Sequence, residues 1–278
     1  MKLAVLTDIH ANLPALLAVL EHIDAWQPDA VVVAGDIVNR GPRPVECLEL
    51  MLERQRTAGW RLVLGNHEEY VLHHAAPGAE RSGPQFEISR LGYWTLQQLD
   101  GQVAALAALP FQQSLAAPDG NEARVAHASM RGTRDGIYPD TPDETLRRQV
   151  GRPRPALFAV GHTHVPLVRR LDGALVVNVG AVGMPFDGDP RASYGQMTWR
   201  GGWQAEIVRL PYDRRQTEQD FADTGFLVDG GALARLMLLE LQHARSHLYR
   251  WRQTYEAAVL AGELTVEQSV ERHLETRR

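Results

Sequence analysis

Apolar runs in this chain stop, again and again, at residues that ligate metals. Lys2–Thr7 ends at Asp8-Ile9-His10, and Ala30–Gly35 ends at Asp36. Arg61–Gly65 ends at Asn66-His67-Glu68, Ala123–Ala126 at His127, and Ala156–Gly161 at His162-Thr163-His164. Carboxylate, imidazole and amide oxygen are donors for hard and borderline divalent cations. So many donors exceed what one ion needs. Two ions about 3.5–4 Å apart can polarise a phosphoryl oxygen and generate hydroxide near neutral pH. A carboxylate between them offsets their repulsion, and Asp36, alone after Gly35, suits that bridge. Asp8 and His10 stand two apart, so both reach one ion only if the backbone leaves strand geometry there. His162 and His164 repeat the spacing and can serve different ions.

Such residues converge only if the fold brings the strand ends together, as the carboxyl ends of strands in an α/β sheet do. The elements read that way. Asn12 can cap a helix with Pro14 in its first turn, and Leu13, Leu16, Leu17, Leu20 and Ile23 follow at helical spacing. A second strand at 30–34 precedes a helix over 43–58 with Val45, Leu48, Met51 and Leu52 on one face. Residues 86–108 are helical in character with a break at Leu99-Asp100-Gly101, and a strand is expected near 111–116. From 122 onward short strands dominate: 123–126, 156–160, 167–171, 174–179, 194–199 and 205–210. The tail from about 216 is rich in Leu, Ala, Glu and Arg. Ala234, Met237, Leu241, Ala244, Leu248, Trp251, Tyr255 and Ala258 alternate steps of three and four, the seam of one helix. It is read as packing on its own domain or on a short helix at 265–276, with a homodimer contact through Trp251 as the alternative and a nucleic-acid role for Arg245, Arg250 and Arg252 as the minor one. The domains expected are 1–215 and a C-terminal helical extension, 216–278.

Composition narrows the function. With 44% hydrophobic and 23% charged residues the chain reads as a soluble globular protein. A net charge of −5 argues against general nucleic-acid or membrane binding, so an anionic substrate needs a local positive centre. The single Cys47 excludes an internal disulfide and reads as a buried helix residue. No apolar run is long enough for a signal peptide or a membrane span, and a cytoplasmic location is expected.

The ordered set Asp8-x-His10, Gly35-Asp36, Gly65-Asn66-His67-Glu68, His127 and Gly161-His162-Thr163-His164 resembles the calcineurin-like metallophosphoesterase superfamily. The resemblance implies an α/β fold, a four-layer αββα sandwich, with Asp8, His10, Asp36 and His164 on a first metal. Asp36, Asn66, His127 and His162 would hold a second, and His67 would protonate the leaving oxygen or stabilise the transition state. The cofactors implied are two divalent ions, Mn²⁺ first, with Fe, Zn²⁺ or Ni²⁺ as alternatives. The activity implied is hydrolysis of phosphodiesters or phosphomonoesters, of small nucleotide type, by a metal-bridging hydroxide. Gly35-Asp36-Ile37-Val38-Asn39-Arg40-Gly41 resembles a segment of protein Ser/Thr phosphatases and diadenosine tetraphosphatases, in which the Arg binds substrate phosphate. Those activities are the alternative reading, and a non-catalytic metal-binding scaffold is the remaining one. Asn39 departs from the pattern, since those families carry an Asp there to pair with the catalytic His. His67 should therefore be less basic here. Arg131 and Arg134 are further candidates for phosphate contacts. Asn178–Gly183 resembles a turn of small bacterial phosphodiesterases, whose glycines would let backbone approach His162 and His164. Tyr138 and Phe186 are read as packing, with stacking of a nucleobase as the alternative, and His22, His73, His74, His243, His247 and His273 as surface or helix-face residues.

Overall fold

The structure is a computed structural model that describes residues 1–276. Among these residues ten strands form two mixed sheets. In the first, β1 (Lys2–Leu6), β2 (Ala30–Val33) and β3 (Arg61–Leu62) run parallel, and β9 (Ala192–Trp199) and β10 (Trp203–Leu210) extend it antiparallel, in the order β10-β9-β1-β2-β3. The second has the order β4-β5-β6-β8-β7, built from Gln112–Ala116, Glu122–Ala126, Leu157–Val160, Ala174–Asn178 and Leu167–Leu171. Its central β5, β6 and β8 are parallel.

Strand residues alternate between two faces. Leu3, Val5 and Val32 of the first sheet meet Ala123, Val125, Leu157, Ala159, Leu175 and Val177 of the second in one dry layer. The opposite face of the first sheet, with Ala4, Leu6, Val31 and Val33, packs under α1 (Leu13–Trp26) and α2 (Pro44–Ala58). The outer face of the second sheet, with Phe158, Val160 and Val176, packs under α6 (Asp143–Val150). The layers are therefore αββα, as the resemblance implied. Asn12 caps α1, its side chain accepting the Ala15 N–H at 3.3 Å. The face it buries is Ala15, Leu16, Val19, Leu20 and Ile23, whereas Leu17, placed on that face by its spacing, is 49% exposed. Cys47 is fully buried in α2.

The remaining helices of the first half are α3 (Asn66–Ala75), α4 (Pro84–Gln98) and α5 (Val103–Ala107). After β10 the chain is helical. It runs through α7 (Arg214–Asp223), α8 (Phe226–Asp229), α9 (Ala234–His243) and α10 (Leu248–Trp251). A π-helical turn at Arg252–Glu256, α11 (Ala257–Leu260) and α12 (Val266–Glu275) complete it. The single seam expected over 234–258 is broken, because Ala244 adopts a left-handed φ of 49° and ends α9. Ala234, Met237, Leu241 and Trp251 nevertheless reach one cluster, which includes Ile88, Leu91 and Trp94 of α4. Trp251 is fully buried and donates Nε1–H to Ser269 Oγ at 3.0 Å, so it offers no exposed aromatic face. Arg43 pairs with Asp220 at 2.7 Å and Thr217 donates to Asn12 Oδ1 at 2.9 Å, joining this helical layer to the sandwich. Among the described residues no helix is long and apolar enough to cross a membrane.

Candidate metal centre

The loops after β1, β2, β3, β5 and β6 meet at one edge of the sandwich. Asp8, His10, Asp36, His162 and His164 all adopt left-handed backbone, with φ of 52°, 47°, 54°, 69° and 58°. Each such non-glycine residue costs of order 1–3 kcal/mol and persists only where surrounding structure enforces it. This is the departure from strand geometry that Asp8 and His10 required in order to face the same point.

What enforces these turns is visible. Asp8 N–H donates to Gly35 O at 3.1 Å and His10 N–H to Asp36 O at 3.0 Å, so the first two loops are zipped together. Asp8 Oδ2 accepts the His162 N–H at 2.8 Å and the Thr7 hydroxyl at 2.9 Å, which ties the second sheet's loop to the first. Gly161 is obligatory there, since a Cβ would lie 2.4 Å from Asp8 Oδ2 and 2.3 Å from the Thr7 methyl. Asn178 holds the same loop from behind, donating to Gly161 O at 2.7 Å and Thr163 Oγ1 at 2.8 Å. The glycines of that turn serve a different purpose from the one expected. A Cβ on Gly183 would meet Ile9 O at 1.9 Å and one on Gly180 would meet Ser193 and Pro166, so the close approach is not to the histidines.

Glu68 is the residue that sequence reasoning left without a role. Its buried carboxylate accepts four backbone N–H groups: Gly65 at 2.9 Å, Asp36 and Ile37 at 2.8 Å, and Val38 at 3.2 Å. One acid thus caps α3 and shapes the loop that carries Asp36 and Asn39. The signal was its place as the third residue of the helix, the capping-box position. Burial and the negative Asp36 push its carboxyl up to about 7, opposed by those N–H donors. We expect Glu68→Gln to be nearly as damaging as Glu68→Ala. Each Oε serves two N–H donors, so an NH₂ at either position would face donors alone. A loss of about 3 kcal/mol or more is expected in urea unfolding; stability of Glu68→Gln within about 0.5 kcal/mol of the wild type would refute this.

The side chains of the loops gather in overlapping groups of metal-ligating atoms: Asp8, His10 and His164; His10, Asp36 and His67; Asp36, His127 and His162. His164 Nε2 lies 3.0 Å from Asp8 Oδ1 and 3.1 Å from His10 Nε2. Asn66 Oδ1 lies 2.9 Å from His127 Nε2 and 2.8 Å from His162 Nδ1. Asp36 Oδ2 stands between the sets, 3.3 Å from His127 Nε2 and 3.8 Å from His10 Nε2. Among the described residues, Asp8 Oδ1 and Asp36 Oδ2 are buried without a hydrogen-bond partner. Buried, unpaired carboxylate oxygens ringed by imidazoles are what a cation would satisfy. The outer nitrogens are already used: His127 Nδ1 faces Ala34 O at 2.8 Å and His164 Nδ1 faces Met184 O at 2.5 Å, which leaves each Nε2 turned inward.

The electrostatics divide the histidines. Burial alone would lower His127, but Asp36 beside it raises it to about 10. Burial and a positive His127 push His162 down to about 4. Burial would raise Asp8, yet His164 and His10 hold it well below the usual carboxylate range. His127 therefore keeps a proton at neutrality when no metal is present. Its folded value lies above the ordinary 6.5, so this proton stabilises the metal-free protein fully below about pH 6.5 and ceases to as pH rises through about 10. Metal loading must expel it. We expect apparent metal affinity to rise about tenfold per pH unit across that window. Calorimetry at pH 7.5 in two buffers of different ionisation enthalpy should register close to one proton released; heats independent of buffer would rule this out.

His67 sits beside the centre, 12% exposed, with Nε2 4.0 Å from Asp36 Oδ2. Asn39 Oδ1 accepts the Arg40 N–H at 2.8 Å, so its Nδ2 is the atom 3.0 Å from His67 Nδ1. That amide can only donate, and His67 Nδ1 must accept. The ring's proton is thereby placed on Nε2, toward the centre. Burial pushes His67 well below its ordinary value, with Arg40, His10 and His164 adding to the effect against Asp36.

A cavity of about 770 Å³ opens over the centre, lined by Asp36, Asn66, His67, His162 and His164 on one side. Arg40 lines it, but its Nη1 is 3.5 Å from the buried Glu240 and its guanidinium lies over Phe186, which stacks on His164 with ring centroids 4.2 Å apart. Arg131 does not line it. A tight turn between Ser129 and Gly132 directs Arg131 to Asp135, 3.7 Å away, beside a separate surface depression. Arg134 lines the cavity instead, held by Glu69 at 2.8 Å. Tyr138, expected to pack, is 49% exposed on the cavity wall. Of the histidines assigned to the surface or a helix face, His74, His247 and His273 are buried.

Comparison with known proteins places this architecture. An uncharacterized protein of Methanocaldococcus jannaschii is 29% identical over 231 residues, 76% of this chain and 88% of its own length. The crystal structure of a metallophosphoesterase from Sphaerobacter thermophilus matches with 29% identity and a TM-score of 0.69, covering 88% of this chain and 99% of that one. A hypothetical protein from Pyrococcus horikoshii shares the fold, with 20% identity and a TM-score of 0.74 over 88% of this chain and 99% of its own. The sequence model of the calcineurin-like phosphoesterases matches residues 1–166, well over half of the 278. That stretch ends just past His164 and spans all the strand ends described above, and so this chain belongs to the calcineurin-like phosphoesterase family.

Proposed function

We propose that the protein is a dinuclear, metal-dependent hydrolase of small nucleotide-type phosphate esters. The position of Asp36 carries the reading: its Oδ2 is buried, has no hydrogen-bond partner and lies between two sets of donors. Asp8, His10 and His164 would hold one ion with it, and Asn66, His127 and His162 the other. The mixed nitrogen and oxygen donors favour Mn²⁺, Fe or Zn²⁺ over Mg²⁺. Such ions would polarise the phosphoryl oxygen and lower the pKa of the attacking water.

The chain's own contribution is orientation and one hydrogen bond. Net hydrolysis forms a bond from water oxygen to phosphorus, breaks the ester P–O bond and leaves one water proton on the departing oxygen. His67 presents Nε2–H to the cavity and suits stabilisation of the charge developing on that oxygen. Being neutral, it acts first as a donor of a hydrogen bond, unlike a His–Asp pair, which carries a full positive charge. Metal analysis of the purified protein, with hydrolysis of p-nitrophenyl phosphate, its bis ester and the thymidine diester, tests the reading. Protein that binds two ions yet cleaves none of them, nor a panel of cyclic nucleotides and dinucleoside polyphosphates, would favour a binding scaffold.

A further inference from the structure

The cavity is larger than one phosphate requires, and its far wall comes from the helical tail. At about 770 Å³ it falls within the range that encloses whole cofactor-sized ligands. Past the break at Ala244, most residues between 245 and 253 line this space, Arg245, Arg250 and Arg252 among them. The wall is built, not draped. Buried Glu240 Oε1 accepts His247 N–H and Leu248 N–H at 2.7 Å and the Ser246 hydroxyl at 3.1 Å. Gly188 N–H donates to Ala244 O at 3.0 Å, clamping the other side of the turn.

The arginines on the cavity are not equivalent. Arg40 is engaged by Glu240, Arg134 by Glu69 and Arg252 by Glu256. Arg245 and Arg250 are exposed and, among the described residues, have no carboxylate partner. Two uncompensated guanidinium groups at the mouth of a cavity, in a protein of net charge −5, are an anion-attracting surface. Guanidinium presents paired N–H donors matched to phosphate oxygens. Tyr138 and Tyr249, 49% and 62% exposed, line the same cavity and offer faces on which a base can stack.

We propose that Arg245 and Arg250 form a second anion subsite of this cavity, which selects substrates carrying a further phosphate beyond the scissile one, of the nucleoside polyphosphate class. The inference rests on the phosphoesterase reading for the first phosphate, but its binding test does not. In metal-free, full-length protein, calorimetry should show inorganic tripolyphosphate binding about tenfold or more tighter than orthophosphate, the worth of a charge-assisted contact. The double variant Arg245→Gln/Arg250→Gln should lose that preference, while Arg148→Gln, on α6 and paired with Glu144, should keep it. A double variant with the wild-type preference would overturn the subsite. Turnover supplies the second readout. With metal present, the ratio of kcat/KM for adenosine diphosphate over p-nitrophenyl phosphate should fall about tenfold in the double variant, through KM. An equal loss on both substrates would overturn it. Wild-type protein that cleaves nothing would sink the catalytic reading alone, because calorimetry still decides the subsite. Oligothymidylate bound as tightly per phosphate as tripolyphosphate, and lost in the same variant, would reassign the surface to polynucleotide and overturn the proposal.

Discussion

Replacing Asp36 with alanine should abolish metal loading and turnover together. Among the described residues no other side chain stands both with His127 and His162 and with His10 and His67. Its Oδ1 also accepts the His67 N–H at 2.9 Å, so the truncation frees the start of α3 as well. Asp36→Asn separates these roles: it can still accept from His67 but carries no charge to balance two cations. A drop of at least about a thousandfold in kcat/KM is expected for both, equivalent to about 4 kcal/mol of lost transition-state stabilisation. Elemental analysis should find less than one ion per chain in the alanine variant. Two retained ions with near wild-type turnover would mean that Asp36 is not the bridge.

His67→Ala should behave differently, keeping its metal and losing rate. The His67 ring is set off from the metal donors, with Nε2 4.0 Å from Asp36 Oδ2 and its N–H toward the cavity, so in the proposed reaction it would act on the leaving group. Loss of one positioned hydrogen-bond donor to developing charge costs about 10²–10³-fold in kcat. Wild-type turnover in His67→Ala would remove it from the mechanism. Asn39→Asp provides the complementary change. A carboxylate 3.0 Å from Nδ1 would let the ring keep both protons, and the limb of the pH–rate profile that reports His67 should move upward. An unmoved limb would show that the Asn39 contact does not set the proton's place.

The residues of the centre were legible because each sits where a strand must stop. Gly35 before Asp36, Gly65 before Asn66 and Gly161 before His162 mark backbone that has left the sheet, and polar residues after apolar runs have no packing reason to be there. The parallel strands then do the rest, since they deliver all these ends to one edge. Glu68 was in view but unexplained, because its ligands are main-chain N–H groups, which leave no imprint in side-chain spacing. The helical tail was legible in kind and wrong in continuity. Steps of three and four from Ala234 to Ala258 predict one helix, yet Glu240 captures the N–H groups of His247 and Leu248, and Ala244 turns left-handed to allow it. A charged residue among alternating charges gives no sign that it will be buried. For the same reason Arg245 and Arg250 could not be told from a solvated face, and Arg131 could not be told from Arg134.

That tail has a consequence in time. Every donor of the metal centre lies before residue 165, while the wall that faces it begins after residue 244. A ribosome releases the cage first. The donors and both sheets that position them are complete by Leu210, so the wall is the last part of the site to be made.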